Sequence, residues 1–237
     1  MSLSRRQLLR NGALTAVVIP CLEALNQIGA NAATSLLEPK RIKSSNGQLN
    51  VNLEAKESLL DFEGKKRWAL TYNGTFPGPT LVAKPGDVIN VNLKNSTKQP
   101  TNLHTHGPHL SPSGNSDNPF IMVAPGESFK YTFRIPKNQE PGTFWYHPHH
   151  HEFVAKQLSA GLAGAIIVEG ESDKLLTDTT DRTLLLADPR IGSDSSVMDT
   201  SMMDQMHGRV GEYLLINGQL APTITAKVGK TERWRLI

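Results

Sequence analysis

The sequence holds a single cysteine, Cys21, and it lies in an N-terminal segment with the features of an export signal. Once that segment is removed, no thiol remains. Disulfides are then excluded, as is any thiolate-ligated metal site within the chain. No run of 18 or more apolar residues occurs, so no stable membrane insertion is expected. Neither sign of charge dominates. The formal charge is +3, and Arg5, Arg6 and Arg10 of the signal alone carry that much, so nucleic acid is not indicated as a partner. Helical periodicity is also scarce, apart from one turn near 152–158.

What is present begins with the signal itself. Ser4-Arg5-Arg6-Gln7-Leu8-Leu9-Arg10 is a twin-arginine pattern. A moderately apolar run, Gly12 to Leu22, follows it, and Ala30-Asn31-Ala32 offers small residues for cleavage. Residues 1–32 are therefore read as an export signal, placing the protein in the periplasm or outside the cell. The twin-arginine route carries folded proteins, often with cofactor inserted. Val18-Ile19-Pro20-Cys21 makes a poor lipoprotein box because proline precedes the cysteine.

Beyond the signal, short strand-like runs alternate with turn residues. Asn50–Ala55 and Arg67–Tyr72 alternate polar with apolar side chains, as do Val88–Leu93 and Phe129–Ile135. Thr80–Ala83 and Gly164–Val168 read as short buried strands. Asn73-Gly74, Phe76-Pro77-Gly78-Pro79 and Pro85-Gly86-Asp87 are turn signals. The pattern predicts an all-β sandwich or barrel. Residues 171–181 are polar and read as a linker. Strand signals resume at Thr183–Ala187, Tyr213–Ile216, Thr223–Ala226 and Arg233–Ile237. Fewer than 60 residues follow the linker, against about 100 for a sandwich domain. The second domain is accordingly expected to be incomplete, through truncation or because the sequence is a fragment.

Seven of the eight histidines fall within residues 104–151. The stretch opens on Leu103-His104-Thr105-His106-Gly107 and closes on Phe144-Trp145-Tyr146-His147-Pro148-His149-His150-His151. On a strand, residues i and i+2 share a face. His104 and His106 then project together, and so do His147 and His149. If the two strands are neighbours, four imidazoles converge, a donor set suited to copper or zinc. The competing reading is ordinary hydrogen-bonded strand histidines, but clustering four unliganded imidazoles in a buried place is costly unless each finds a partner. Pro148 alternates with two of the histidines and lacks a ladder donor, which puts its strand at an edge or rim.

These residues resemble the N-terminal part of a multicopper oxidase of the laccase-like, three-domain kind. The matching pieces are Asn73-Gly74-x-x-Pro77-Gly78-Pro79-Thr80-Leu81, Gly86-Asp87, Leu103–Gly107, Pro125-Gly126-Glu127, Gly142–His149 and Gly161-Leu162-Ala163-Gly164. The likeness runs from about residue 48 to the end of the sequence. It implies a cupredoxin-like Greek-key β-sandwich at 33–170, with a second cupredoxin-like domain beginning at 182–237. It also implies a trinuclear copper cluster held by eight histidines, four from the first domain and four from the last. Carried over by motif, His104 would bind the type 2 copper, and His106, His147 and His149 the type 3 pair. A type 1 copper, held by a cysteine and two histidines, would lie in a C-terminal cupredoxin domain missing from this chain. A small reducing substrate (a phenol, an aromatic amine or a metal ion) would be oxidised there one electron at a time, and O2 reduced to water at the cluster. The alternative is a copper-binding cupredoxin module without turnover, or an inactive truncated fragment. A mononuclear zinc hydrolase ranks last, since Glu152 is the only nearby candidate base.

Other residues carry weaker expectations. Asp117, in the Gly114–Asn118 loop, could orient a histidine or pass protons to bound oxygen. His109 is expected to leave its strand. His151 shares the ligand face if its strand continues, and His150 is expected at the surface. Met198, Met202, Met203, Met206 and His207 form a soft-ligand cluster whose spacing suits no helix well. Adaptable packing in a loop is the expectation there, with a cuprous-ion site as the other reading. Trp68, Trp145 and Trp234 are expected as core or interface aromatics.

Overall fold

The computed structural model describes residues 34–62, 64–176, 178–199 and 201–237. The export signal read at 1–32 lies outside the described residues. Residues 35–237 form one compact unit.

Two sheets face each other. In the first, β2 (Gln48–Phe62) pairs with β3 (Lys65–Tyr72) antiparallel and with β5 (Val88–Ser96) parallel. An antiparallel β7 (Ser128–Arg134) completes the order β3-β2-β5-β7. The alternation in sequence translates directly. Leu49, Val51, Leu53 and Ala55 of β2 point inward, as do Ile89, Val91 and Leu93 of β5 and Tyr131 and Phe133 of β7. Each such aliphatic side chain contributes about 1.5–3 kcal/mol on full burial. The second sheet has the order β1-β4-β9-β8-β6, from β1 (Arg41–Lys43), β4 (Thr80–Ala83), β9 (Gly164–Val168), β8 (Gly142–His147) and β6 (His104–His106). Every residue of β4 and β9 is buried, which explains why both are apolar except for Thr80. Tyr72, Leu81, Tyr146 and Ile166 close the core between the sheets.

The remaining strands are short. β10 (Thr180–Leu184) runs parallel to β14 (Glu232–Leu236), and β11 (Leu186–Ala187), β12 (Leu215–Ile216) and β13 (Gln219–Leu220) make a small antiparallel sheet. Of the expected strand at 223–226, only a bridge from Thr223 to Ser35 forms. Three short helices are described: α1 (Val154–Ser159), α2 (Glu171–Leu175) and α3 (Met202–His207).

The stretch read as a linker, 171–181, carries α2 and the start of β10. Its polar side chains do not all face water. Asp173 and Asp181 are counter-ions: both pair with Arg233 and with the buried Arg235. Arg235 also donates to Thr143 Oγ1 on β8 at 2.9 Å, tying β14 to the second sheet. The methionine segment also departs from expectation. Met202–His207 is a helix because Ser201 caps it: its hydroxyl accepts from the Asp204 N–H at 3.2 Å, and Asp204 returns a bond to the Ser201 N–H at 2.8 Å. Spacing of apolar residues could not announce a helix whose methionines are all exposed.

Candidate metal centre

The two histidine motifs meet at one end of the second sheet. β6 and β8 pair antiparallel with His104 opposite His147 and His106 opposite Trp145. Tyr131 fixes the approach to β6, its hydroxyl accepting the Leu103 N–H at 3.1 Å. Gly107 ends β6 with φ +100°, and a Cβ there would collide with the Phe144 ring of β8. Only glycine allows the chain to turn off the sheet so close to its partner.

His104, His106 and His147 bring one donor atom each to within 4.8 Å of one another. The His149 ring joins them, 5.0 Å from His104 and 6.0 Å from His147 between centroids. Its route differs from the expected one. β8 stops at His147, so His149 is not the next inward residue of a strand. It is held in place by its backbone, whose N–H donates to the buried Asn102 Oδ1 at 2.6 Å. Asn102 also donates to the Pro119 carbonyl at 3.2 Å, so one amide clamps both loops beside the cluster. Pro148 does not mark a sheet edge: β8 is interior, between β9 and β6, and three-residue β6 takes the edge. The missing proline N–H falls just beyond the last ladder pair, where no donor is needed.

Two of the four imidazoles have a fixed tautomer. His147 Nδ1 lies 2.7 Å from the Pro148 carbonyl. A carbonyl only accepts, so Nδ1 carries the proton and Nε2 keeps a lone pair. That Nε2 is buried and has no hydrogen-bond partner among the described residues. His104 Nδ1 lies 2.9 Å from Asp117 Oδ1, which leaves its Nε2 free in the same way. Asp117 also accepts from the Thr105 N–H (3.1 Å) and hydroxyl (3.0 Å), so the carboxylate is locked to β6 itself. Burial, reinforced by the neighbouring imidazoles, pushes His147 down to about 4. Burial and the His104 and His149 rings lower His106 as well, against the pull of Asp117. Both shifts favour neutral imidazole, the metal-binding form, at His106 and His147.

Trp145 is not a core aromatic. It stacks on His147 at 4.4 Å and 18° and on His106 at 4.7 Å and 20°, fixing the planes of both rings. It also lines an apolar cleft of about 620 Å³ bounded by Phe76, Phe144, Leu158, Leu185 and Ile237. Trp68 and Trp234 are each about half exposed. His109 lies past β6 and is exposed, with its N–H on Gln139 Oε1. His151 does not share the ligand face, because the strand has already ended. It is an exposed turn residue whose carbonyl accepts from His150 Nδ1. Asn102 and Gln157 were not legible as site residues. Gln157 is fully buried on α1 and bonds Thr101 Oγ1 and the Pro100 carbonyl, bracing the segment that leads into β6.

The donor set fits copper: among the described residues, three imidazoles lie within reach of one ion with the His149 ring beside them, one nitrogen is buried and orphaned, and the group includes no thiolate or carboxylate. A family model described as multicopper oxidase matches residues 54–173. The chain is 32% identical over 216 residues to multicopper oxidase mco of Staphylococcus aureus, covering 88% of this chain and 46% of that protein. It is 30% identical over 188 residues to copper resistance protein A of Escherichia coli, covering 78% and 29%. Among solved structures, a multicopper oxidase from Campylobacter jejuni, a metallo-oxidase, superposes with a TM-score of 0.75 at 32% identity, covering 87% of this chain and 44% of that one. The chain thus spans about half the length or less of these relatives.

Proposed function

The chain belongs to the multicopper oxidase family, and from that premise we propose that it supplies part of a trinuclear copper site in an oxidase coupling one-electron oxidation of a small reducing substrate to reduction of O2 to water. The observation that carries the proposal is His147 Nε2, deprotonated, buried and without a partner among the described residues, beside three further imidazoles. In this reading His104 holds the type 2 ion, and His106, His147 and His149 hold the type 3 pair. Copper, when bound, supplies one-electron and O2 chemistry that side chains lack. The chain's own residues orient and insulate. Asp117 keeps the His104 proton on Nδ1 and aims Nε2 at the cluster. The Pro148 carbonyl does the same for His147. Trp145 stacks against two rings and limits their rotation.

The remaining histidine ligands and the electron-entry copper are proposed to come from a further cupredoxin-like domain, in keeping with the share of the relatives' length that this chain spans. Phenols, aromatic amines and metal ions are the proposed reducing substrates. The twin-arginine pattern at Ser4–Arg10 supports export of the folded protein to the periplasm or beyond.

Metal content of the copper-reconstituted chain, with oxygen uptake, tests the proposal. Tightly held copper that is lost in the His104→Ala/His147→Ala variant supports it. A chain that binds no copper overturns it. Copper-dependent O2 consumption by this chain alone would overturn the need for a further domain.

A further inference from the structure

Asn-Gly recurs at three turns among the described residues: Asn46-Gly47, Asn73-Gly74 and Asn217-Gly218. The three share one backbone conformation. Each asparagine has φ between +51° and +57°, and each glycine between +76° and +81°, as a type I′ turn requires. Their side chains differ. Asn73 Oδ1 accepts the Glu54 N–H at 2.7 Å, and its Nδ2 donates to the Asn52 carbonyl at 2.9 Å. Asn217 is buried. Its Oδ1 accepts the Leu185 N–H at 2.9 Å, and its Nδ2 donates to the Leu37 and Thr183 carbonyls at 3.0 and 2.9 Å. Asn46 and Gly47 are both exposed, and the Asn46 amide has no hydrogen bond among the described residues.

An asparagine carboxamide is an electrophile near the next residue's backbone nitrogen, and a following glycine has no side chain to hinder the approach. In the left-handed region ψ is about +47°, which turns that nitrogen away from Cβ. Attack therefore needs the turn to swing open briefly. At Asn73 the swing also breaks two side-chain hydrogen bonds, and at Asn217 it breaks three. At Asn46 it breaks none.

We propose that Asn46 is a site of spontaneous deamidation, selective over the other two Asn-Gly turns. The Gly47 nitrogen gives up its proton and bonds to Asn46 Cγ. The Cγ–Nδ2 bond breaks, and ammonia leaves with a proton. Water then opens the five-membered imide at one of its two carbonyls, leaving an aspartyl or isoaspartyl residue. The turn joins β1 to β2, and so one sheet to the other. It is closed by the Ser45 N–H on the Gln48 carbonyl at 2.7 Å and the reverse bond at 3.0 Å, and the Val88 N–H of β5 donates to the Gly47 carbonyl at 2.9 Å. Its tip faces Asp87, since a Cβ on Gly47 would lie 4.0 Å from Asp87 Oδ1. Both products add a carboxylate to this turn. The isoaspartyl form also lengthens its main chain by a methylene, which pulls the closing bonds apart.

Peptide mapping by mass spectrometry tests the site on the full chain, aged in mildly alkaline buffer either folded or in urea. Unfolded, the three pairs are expected to react at similar rates. Folded, Asn46 is expected to react more than about tenfold faster than Asn73 or Asn217, the factor that two hydrogen bonds of ordinary net strength supply. Isoaspartate is expected in the peptide that carries Asn46, and amide exchange at Gln48 and Val88 is expected to rise in the aged protein. Asn46→Gln should remove both changes and leave the circular dichroism spectrum of the fresh protein as it was. Equal rates at the three sites in the folded chain, or an Asn46 that stays intact while folded, would overturn the proposal. So would a preference for Asn46 that persists in urea, because the turn would then not be its cause.

Discussion

Asp117 provides the most direct test of how the centre is held together. Its carboxylate accepts three hydrogen bonds, from His104 Nδ1, the Thr105 N–H and the Thr105 hydroxyl, with its own side chain only 12% exposed. A hydrogen bond to a charged group contributes about 1.5–3 kcal/mol, and an orphaned buried donor costs about 1–3 kcal/mol more. Bonds that share one carboxylate are not additive, and His104 is partly exposed, so the low end applies. Asp117→Ala is expected to destabilise the metal-free chain by about 3–4 kcal/mol, on the scale of one to two such bonds plus one stranded N–H. For a chain of this size each kcal/mol moves Tm by about 2–4 °C, so a fall of about 6–16 °C is expected. Asp117→Asn keeps one acceptor oxygen and is expected to lose about half as much. Copper affinity separates positioning from stability. Without the carboxylate, the His104 proton can move to Nε2, and affinity is expected to fall about 10–100-fold even well below the new Tm. Scanning calorimetry and copper titration of the three proteins read both effects. An Asp117→Ala chain that melts within 2 °C of the parent, roughly the shift from a single kcal/mol, and binds copper as tightly would refute the argument.

Three further outcomes follow from separate parts of the structure. Burial alone would raise the carboxyls of Asp173 and Asp181, but the Gly170 N–H on Asp173 and the hydrogen bonds and charges of Arg233 and Arg235 outweigh it and hold both low. A depressed carboxyl stabilises the fold above its unfolded value, near pH 3.9, and loses that stability as pH falls through its folded value. Acid unfolding of Asp181→Asn is therefore expected to show a shallower pH dependence, and an identical acid limb would contradict this. Gly164→Ala places a Cβ inside the Tyr146 ring, whose hydroxyl is pinned to the Pro79 carbonyl at 2.8 Å. Overpacking of that kind costs about 1–3 kcal/mol, and a variant as stable as the parent in urea would mean that the Tyr146 ring can swing off the Pro79 carbonyl without loss. Replacing Arg5 and Arg6 by Lys is expected to leave the protein in the cytoplasm on cell fractionation, and normal export of that variant would remove the twin-arginine reading.

Legibility in the sequence followed the physics of each element. Where burial alternates along a strand, as in β2 and β5, the period of two is visible and the strands appear where they were read. His104 and His106 were legible because the pattern and the strand coincide. His149 converges for a reason no spacing shows: a buried amide 47 residues away holds its backbone. Asn102, Gln157 and Trp145 stayed hidden for the same reason, since a lone polar or aromatic residue carries no period. Carboxylates in a polar run look the same whether they face water or a buried arginine, so 171–181 read as a linker. The exposed α3 is the converse case. Its helix comes from a cap and a salt bridge, and neither produces an apolar stripe.

The four imidazoles are not equivalent, and their difference predicts an order of loading. His104 and His147 each have Nδ1 anchored, to Asp117 and to the Pro148 carbonyl, so both are oriented before metal arrives. The rings of His106 and His149 carry no such bond among the described residues, and both residues are exposed. A donor held at Nδ1 gives up little conformational freedom on binding, whereas His106, held by stacking on Trp145, and His149, held by its backbone, have more to lose. His147 adds a second bias, because with its pKa near 4 it stays unprotonated where an ordinary imidazole is half charged. The first copper is therefore expected at the His104 and His147 side. His106→Ala/His149→Ala should weaken the first equivalent only modestly while removing later ones, whereas His104→Ala/His147→Ala should remove tight binding altogether. The sign in pH follows for His147 alone: its Nε2 should stay available to metal as pH falls below 6.5 toward 4. Titration monitored by EPR at two pH values separates these cases. Equal losses in the two double variants would mean that the anchors at Nδ1 do not set the order.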